Sequence, residues 1–83
     1  MIERPITVQV EHGLDVRPIA MLVQVAGRFS SEIHIISGKK KINAKSIMGM
    51  MALGIDNGEE ITVIANGQDE EEAMEAVVEY LTK

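Results

Sequence analysis

The sequence contains no cysteine and no tryptophan, and it has only one tyrosine and one phenylalanine among its 83 residues. Without cysteine the chain can form neither a disulfide framework nor a thiolate metal site. With so few aromatic side chains, its core has to be built from isoleucine, valine, leucine, methionine and alanine. A chain of this length is expected to fold as one small domain, and we place that domain over residues 1–83.

Long apolar runs are also missing. No charge-free apolar stretch approaches the ~18 residues of a membrane span, and the N-terminal residues lack the apolar segment of a signal peptide. We therefore expect a cytoplasmic protein that does not act at a membrane. No metal-ligand cluster or phosphate-cradling glycine loop is readable, so we expect no cofactor, no metal and no independent enzymatic activity.

Positive charge is scarce and unevenly placed. The net charge is −5, with acidic residues gathered toward the C-terminal end, which argues against direct binding of nucleic acid. Four of the eight lysines and arginines nevertheless lie between Lys39 and Lys45. This local basic patch favours an acidic partner or a bound phosphate.

Apolar periodicity predicts seven elements in the order β-α-β-β-α-β-α. The strands are expected over residues 6–11, 32–37, 40–44 and 60–66, and the helices from Pro18 to about residue 27, from residue 47 to about 53, and after Asp69. Pro5 lacks a ladder donor, so the first strand either starts there or lies at a sheet edge. Asp69 is expected to cap the last helix, with Glu72 completing a capping box. The order predicts an α+β open-faced β-sandwich, with a four-stranded, mainly antiparallel sheet and three helices on one face.

Ser46 marks the change from the basic run to a methionine-rich run and is expected to be the N-cap of the short second helix. The apolar residues that follow are Ile47, Met48, Met50 and Met51. So short a helix cannot bury all four, and its exposed part would be adaptable contact surface for a partner. A hydroxyl at a helix N-terminus beside Lys45 is a favourable place for a phosphate. The alternative is that Ser46 only caps the helix, a role worth ~1 kcal/mol.

Several motifs together carry a family resemblance over nearly the whole chain. They are Gly13-Leu14 followed by Arg17-Pro18, Phe29 after the first helix, the run from Asn43 to Gly49, Leu53-Gly54, and Gly67 to Glu70 before the last helix. With these motifs at this spacing, the chain resembles the HPr family, the small phosphocarrier proteins of the bacterial sugar phosphotransferase system. The resemblance implies an HPr-like fold with the strands in the order first, fourth, second, third.

One position departs from the family pattern. In members that carry phosphate, a histidine between Gly-Leu and X-Arg-Pro accepts a phosphoryl group from enzyme I; in this chain that position is Asp15. Neither His12 nor His34 occupies the motif position. An aspartate cannot form a phosphoimidazole, and an acyl phosphate usually needs a metal whose ligands are not evident in this sequence. One hypothesis is that Asp15 permanently fills the anion site beside Arg17 and so blocks enzyme I chemistry. The other, compatible with the first, is that Asp15 is a tolerated acid at a helix start.

The serine motif, in contrast, is intact. In Gram-positive-type members the residue equivalent to Ser46 is phosphorylated by HPr kinase/phosphorylase, and the phosphoprotein binds catabolite control protein A, a LacI-type repressor. The chain is therefore similar to the Crh-like paralogs, which keep the serine and lack the histidine, although Crh has a glutamine where this chain has Asp15. The resemblance implies a non-enzymatic regulator of carbon catabolite repression. The predicted partner-binding residues are Asp15, Arg17, Ala20, Lys45, Ile47, Met48 and Met51.

Two alternatives remain open at this point. The chain could be a phosphocarrier that accepts phosphate from enzyme I through Asp15, or in which Asp15 is an engineered replacement of the active histidine. It could also be an interaction protein that is never phosphorylated, with Ser46 serving only as a cap.

Overall fold

The computed structural model describes residues 1–9, 16–55 and 57–82, and in the first helix it describes side chains from Ile19 onward. It confirms the predicted order of elements. These are β1 (Ile2–Thr7), α1 (Val16–Gly27), β2 (Glu32–Ser37), β3 (Lys40–Asn43), α2 (Ile47–Leu53), β4 (Glu60–Asn66) and α3 (Glu70–Leu81). Within the described ranges, no helix has the length and apolar character needed to cross a membrane.

The four strands form one antiparallel sheet in the order β1-β4-β2-β3. This confirms the α+β class and the strand order. Strands β2 and β3 are joined by a two-residue turn in which Gly38 has a φ of 61°. Glycine adopts that left-handed conformation without the steric cost that a side chain would add.

The core lies between the sheet and the helices. Ile33 pairs with Ala65, and Ile35 pairs with Val63, so these four side chains share one face of the sheet. All four are buried in one cluster with residues of all three helices, which places the helices on that face. The helical members of the cluster are Ile19, Leu22, Ala26, Met50, Ala73, Met74, Val77 and Leu81.

Ile64 points to the opposite face of the sheet, as its position in the alternation predicts. It is nevertheless only 5% exposed. In the strand register it lies between Glu3 of β1 and His34 of β2. Because β4 is a central strand, Ile64 has a cross-strand neighbour on each side, and such neighbours shield a side chain from solvent.

The predicted bounds of the first strand are wrong. The strand begins at Ile2 and ends at Thr7, whereas the alternation suggested residues 6–11; Val10 and Glu11 lie outside the described residues. Because β1 pairs along β4 from Ile2 opposite Ala65 to Thr7 opposite Glu60, the extent of β4 sets its bounds. Pro5 lies inside this strand, and β1 is an edge strand, so the edge alternative for Pro5 is confirmed.

The predicted capping box of α3 is also wrong. Asp69 is the N-cap residue, but its side chain makes no capping hydrogen bond. Its carboxylate accepts instead from the backbone N–H groups of Ser30 and Ser31, both at 2.9 Å, and from the Ser31 hydroxyl. Glu70 in the first turn of the helix accepts from the N–H of Gly67 at 3.2 Å. Asp69 thus ties the connection between α1 and β2 to the start of α3.

These hydrogen bonds explain a shifted titration. The Ser31 hydroxyl, followed by the backbone N–H of Ser30, lowers the pKa of Asp69 from 3.8 to about 2. Donors directed at a carboxylate stabilise its charged form. The Ser31 side chain is buried and needs a partner of this kind, which a capping role for Asp69 would not supply.

Candidate functional site

Ser46 is the N-cap of α2, as predicted. Its backbone is extended, with φ −101° and ψ 109°, and its Oγ accepts a hydrogen bond from the N–H of Gly49 at 3.2 Å. The Ser46 carbonyl accepts from Met50 N at 2.9 Å and so begins the helical pattern. The Ser46 side chain is exposed. Because Oγ is the acceptor in its bond to Gly49, the hydroxyl proton is not used there.

The turn that carries Ser46 is fixed to the sheet. The side-chain Oδ1 of Asn43 accepts from Lys45 N at 2.8 Å, and the Asn43 carbonyl accepts from Ser46 N at 3.0 Å. Ala44 is buried, and its N–H donates to the Ile33 carbonyl at 2.8 Å. These bonds hold the serine at one position relative to β2 and β3.

Next to this hydroxyl is an exposed apolar surface on α2, which we call the methionine face; it consists of Ile47, Met48 and Met51. Their exposed fractions are 42%, 77% and 44%, whereas Met50 is completely buried. The expectation that so short a helix cannot bury all four residues is confirmed. Gly54, with φ 64°, caps the C-terminus of α2 and ends the face.

One exposed apolar residue of α1 was not singled out by the sequence pattern. Met21 is 48% exposed. The signal that reveals it is its position off the stripe: Ile19, Leu22 and Ala26 recur at three- and four-residue spacing and are buried, and Met21 lies outside that spacing. Since α1 packs against α2, Met21 is a further candidate for partner contact.

Lys45, predicted to contact partners, already has a partner in the fold. Its Nζ donates to the backbone carbonyl of Phe29 at 2.7 Å, and the side chain is half-buried. Phe29 follows the end of α1. The Lys45 ammonium therefore links the turn before α2 to the end of α1, instead of extending freely into solvent.

The remaining predicted partner residues are less fully described. Ala20 is half-buried on α1. Asp15 lies outside the described residues, as does the Arg17 side chain. The predicted anion site at the start of α1, which depends on these two side chains, stays a prediction.

Among the described residues, the hydrogen-bond partner of the Ser46 side chain is a backbone group. The Ser46 hydroxyl oxygen is hydrogen-bonded to a backbone N–H, and a backbone amide cannot act as the general base that a nucleophilic serine requires. Among residues 1–9, 16–55 and 57–82, no group of three His, Asp or Glu side chains could hold a metal ion. An enzyme acting on Ser46 would have to supply the base itself.

Comparison with known proteins gives a consistent result. The family model described as "PTS HPr component phosphorylation site" matches residues 2–83. The HPr-like protein Crh of Halalkalibacterium halodurans is 51% identical over 83 residues, covering 100% of this chain and 99% of that protein. The HPr-like protein Crh of Bacillus subtilis is 44% identical over 81 residues, covering 98% and 95%.

The same similarity is found among solved structures. The phosphocarrier protein HPr of Bacillus anthracis superposes with a TM-score of 0.92 at 44% identity, covering 96% of this chain and 95% of that one. At this level of identity and coverage, the likeness extends to sequence as well as fold.

Proposed function

The chain belongs to the HPr family and is an HPr-like protein of Crh type, and from that premise we propose that it is a regulatory phosphoprotein switched at Ser46. HPr kinase/phosphorylase adds the phosphate, and the phosphoprotein acts as a co-effector of catabolite control protein A in carbon catabolite repression, in the cytoplasm and within a single domain. The observation that carries this proposal is the exposed Ser46 hydroxyl beside the methionine face.

The physical chemistry of the site supports a switch of this kind. A phosphate adds about −1.5 to −2 charges and three strong acceptor oxygens. Because Ser46 is exposed, the phosphate stays hydrated and displaces nothing from the core. The charge would then lie next to three exposed apolar side chains. A regulator with a basic pocket beside an apolar groove fits such a surface, and only the phosphorylated form offers both parts.

The cation of this contact face is proposed to be Arg17, since the Lys45 ammonium is already bound to the Phe29 carbonyl. Ala20 lies on the same helix and extends the proposed face onto α1. Asp15 adds a fixed negative charge near the helix start, where a phosphohistidine would add one transiently.

Asp15 is the residue that favours a regulator over a phosphocarrier. Without a histidine at this position, the chain cannot form the phosphoimidazole of sugar transport. We propose that it does not pass phosphate from enzyme I. Replacing Asp15 by histidine tests whether the aspartate is the block: gain of transfer from enzyme I supports this role, and continued absence of transfer means that other residues prevent it.

The proposal is tested by incubating the protein with HPr kinase/phosphorylase, ATP and Mg²⁺, and by mapping the modified residue. We expect one phosphate on Ser46 and none in Ser46→Ala. Ser30→Ala is the matched control, since Ser30 is also exposed but should not affect the reaction. The phosphorylated protein should then bind catabolite control protein A more tightly than the unmodified protein. Equal affinity of the two forms would contradict the switch.

A further inference from the structure

We propose that Gly49 is a positioning residue for phosphoryl transfer to Ser46, because the missing side chain leaves open the space beside the Ser46 hydroxyl through which the phosphoryl group arrives. This inference rests on the proposed phosphorylation of Ser46. It assigns to Gly49 a steric role in that reaction, distinct from a role in backbone conformation.

The backbone at Gly49 does not call for glycine. Among the described residues, the glycines with positive φ are Gly38, Gly54, Gly58 and Gly67; Gly49 lies inside α2 with ordinary helical geometry. In such a position alanine favours the helix and glycine weakens it. A reason other than conformation must account for the glycine.

That reason is the lack of room for a side chain, because a Cβ on Gly49 would come close to two neighbouring residues. A Cβ placed on Gly49 would lie 2.8 Å from Cγ2 of Ile42, 3.3 Å from Oγ of Ser46 and 3.5 Å from Cβ of Ser46. The contact with Ile42 concerns the packing of α2 on β3. The contact with Ser46 concerns the nucleophile itself. The two can be separated experimentally, since they involve different side chains.

The reaction explains why the second contact matters. Ser46 Oγ forms a bond to the γ-phosphorus of ATP, the bond from that phosphorus to the β–γ bridging oxygen breaks, ADP leaves, and the hydroxyl proton passes to a base of the kinase. A methyl group 3.3 Å from Oγ would occupy part of the hemisphere through which the phosphorus approaches. Transfer is sensitive to such changes, because a misplacement of 1 Å can cost ~10²-fold in rate.

The test compares three variants with the wild type: Ile42→Ala, Gly49→Ala, and the two combined. Ile42→Ala removes Cγ2, so the double variant relieves the packing clash while keeping the methyl group beside Ser46. We expect Ile42→Ala to be phosphorylated at close to the wild-type rate. The double variant should lose about tenfold or more in kcat/KM relative to Ile42→Ala, mainly in kcat, since the kinase still meets the same surface.

The outcomes separate a steric role of Gly49 from a loss of folding and from a failure of the proposed function. Equal kcat/KM in the double variant and in Ile42→Ala would overturn the role of Gly49. No phosphorylation of the wild type would instead refute the proposed function. Thermal midpoints and far-UV circular dichroism show that each variant is folded at the assay temperature. If the double variant is not, both variants are assayed at a lower temperature at which both are folded, and the same ratio of kcat/KM decides.

Discussion

Two methionines of one short helix provide a matched test of the site. Met50 and Met48 lie two residues apart in α2, yet Met50 is 0% exposed and Met48 is 77% exposed. Truncating a fully buried methionine to alanine typically costs 2–5 kcal/mol in the free energy of unfolding, roughly the loss of transfer energy plus a cavity. A surface substitution usually stays within about 0.5 kcal/mol.

These two losses in the free energy of unfolding predict different melting temperatures for the two variants. For a domain of 60–100 residues, a loss of 1 kcal/mol lowers the thermal midpoint by roughly 4–8 °C. Met50→Ala should therefore lower the midpoint by at least about 8 °C, and Met48→Ala by no more than about 4 °C. Calorimetry on both variants in one buffer makes the comparison.

Binding should show the opposite pattern. If the methionine face contacts catabolite control protein A, Met48→Ala in the Ser46-phosphorylated protein should weaken binding by about tenfold, which corresponds to ~1.4 kcal/mol. Met50→Ala, titrated well below its midpoint, should bind nearly as the wild type does. Full affinity in Met48→Ala would refute the role of the face, and similar melting temperatures in the two variants would refute the assignment of burial.

Three other predictions concern stability. Because the pKa of Asp69 is lowered in the folded state, its carboxylate contributes to the free energy of unfolding above the unfolded-state pKa, and this contribution is lost as pH falls from about 4 to about 2. In urea unfolding, the difference in free energy between wild type and Asp69→Asn should therefore shrink over that range; a constant difference would contradict this. Lys45→Met removes the hydrogen bond to the loop after α1 and should cost about 1 kcal/mol in urea unfolding, and no loss would show that the bond is dispensable. Gly67→Ala would place a Cβ 2.6 Å from the Cα of Ser31 and should destabilise by ~1–3 kcal/mol; Gly27→Ala, whose Cβ meets nothing within 4 Å, is the control, and equal thermal midpoints would contradict the close approach.

Local patterns were sufficient where an element depends on its own residues. The bounds of β2 and β4 were predicted correctly because both strands alternate strongly and are bounded by turn residues. The N-cap role of Ser46 followed from one polar residue before an apolar run. The strand order did not come from periodicity. It came from the family resemblance, since alternation shows which residues share a face and not which strands are neighbours.

The wrong predictions concern features that are determined by residues far apart in the sequence. The start of β1 at Ile2 depends on the extent of β4, because β1 pairs along its whole length with residues 60–65 of β4. The side chain of Asp69 was expected to cap its own helix. It accepts a hydrogen bond from Ser31 instead, which lies 38 residues earlier in the chain. A local sequence motif does not show that a distant donor competes with the helix N-terminus for the same carboxylate. The engagement of Lys45 by the Phe29 carbonyl is a third case, since it too joins residues brought together only by the fold.

The proposal that the chain is a regulator and not a phosphocarrier rests on Ser46 and Asp15. A pair of phosphorylation reactions tests it most directly. One sample contains the protein with HPr kinase/phosphorylase, ATP and Mg²⁺, and the other contains it with enzyme I and phosphoenolpyruvate; both are read by intact mass and site mapping. A regulator of the proposed kind gains one phosphate on Ser46 in the first sample and none in the second. Phosphate transferred from enzyme I in the second sample would contradict that proposal and show that the chain carries phosphoryl groups despite having no histidine at position 15.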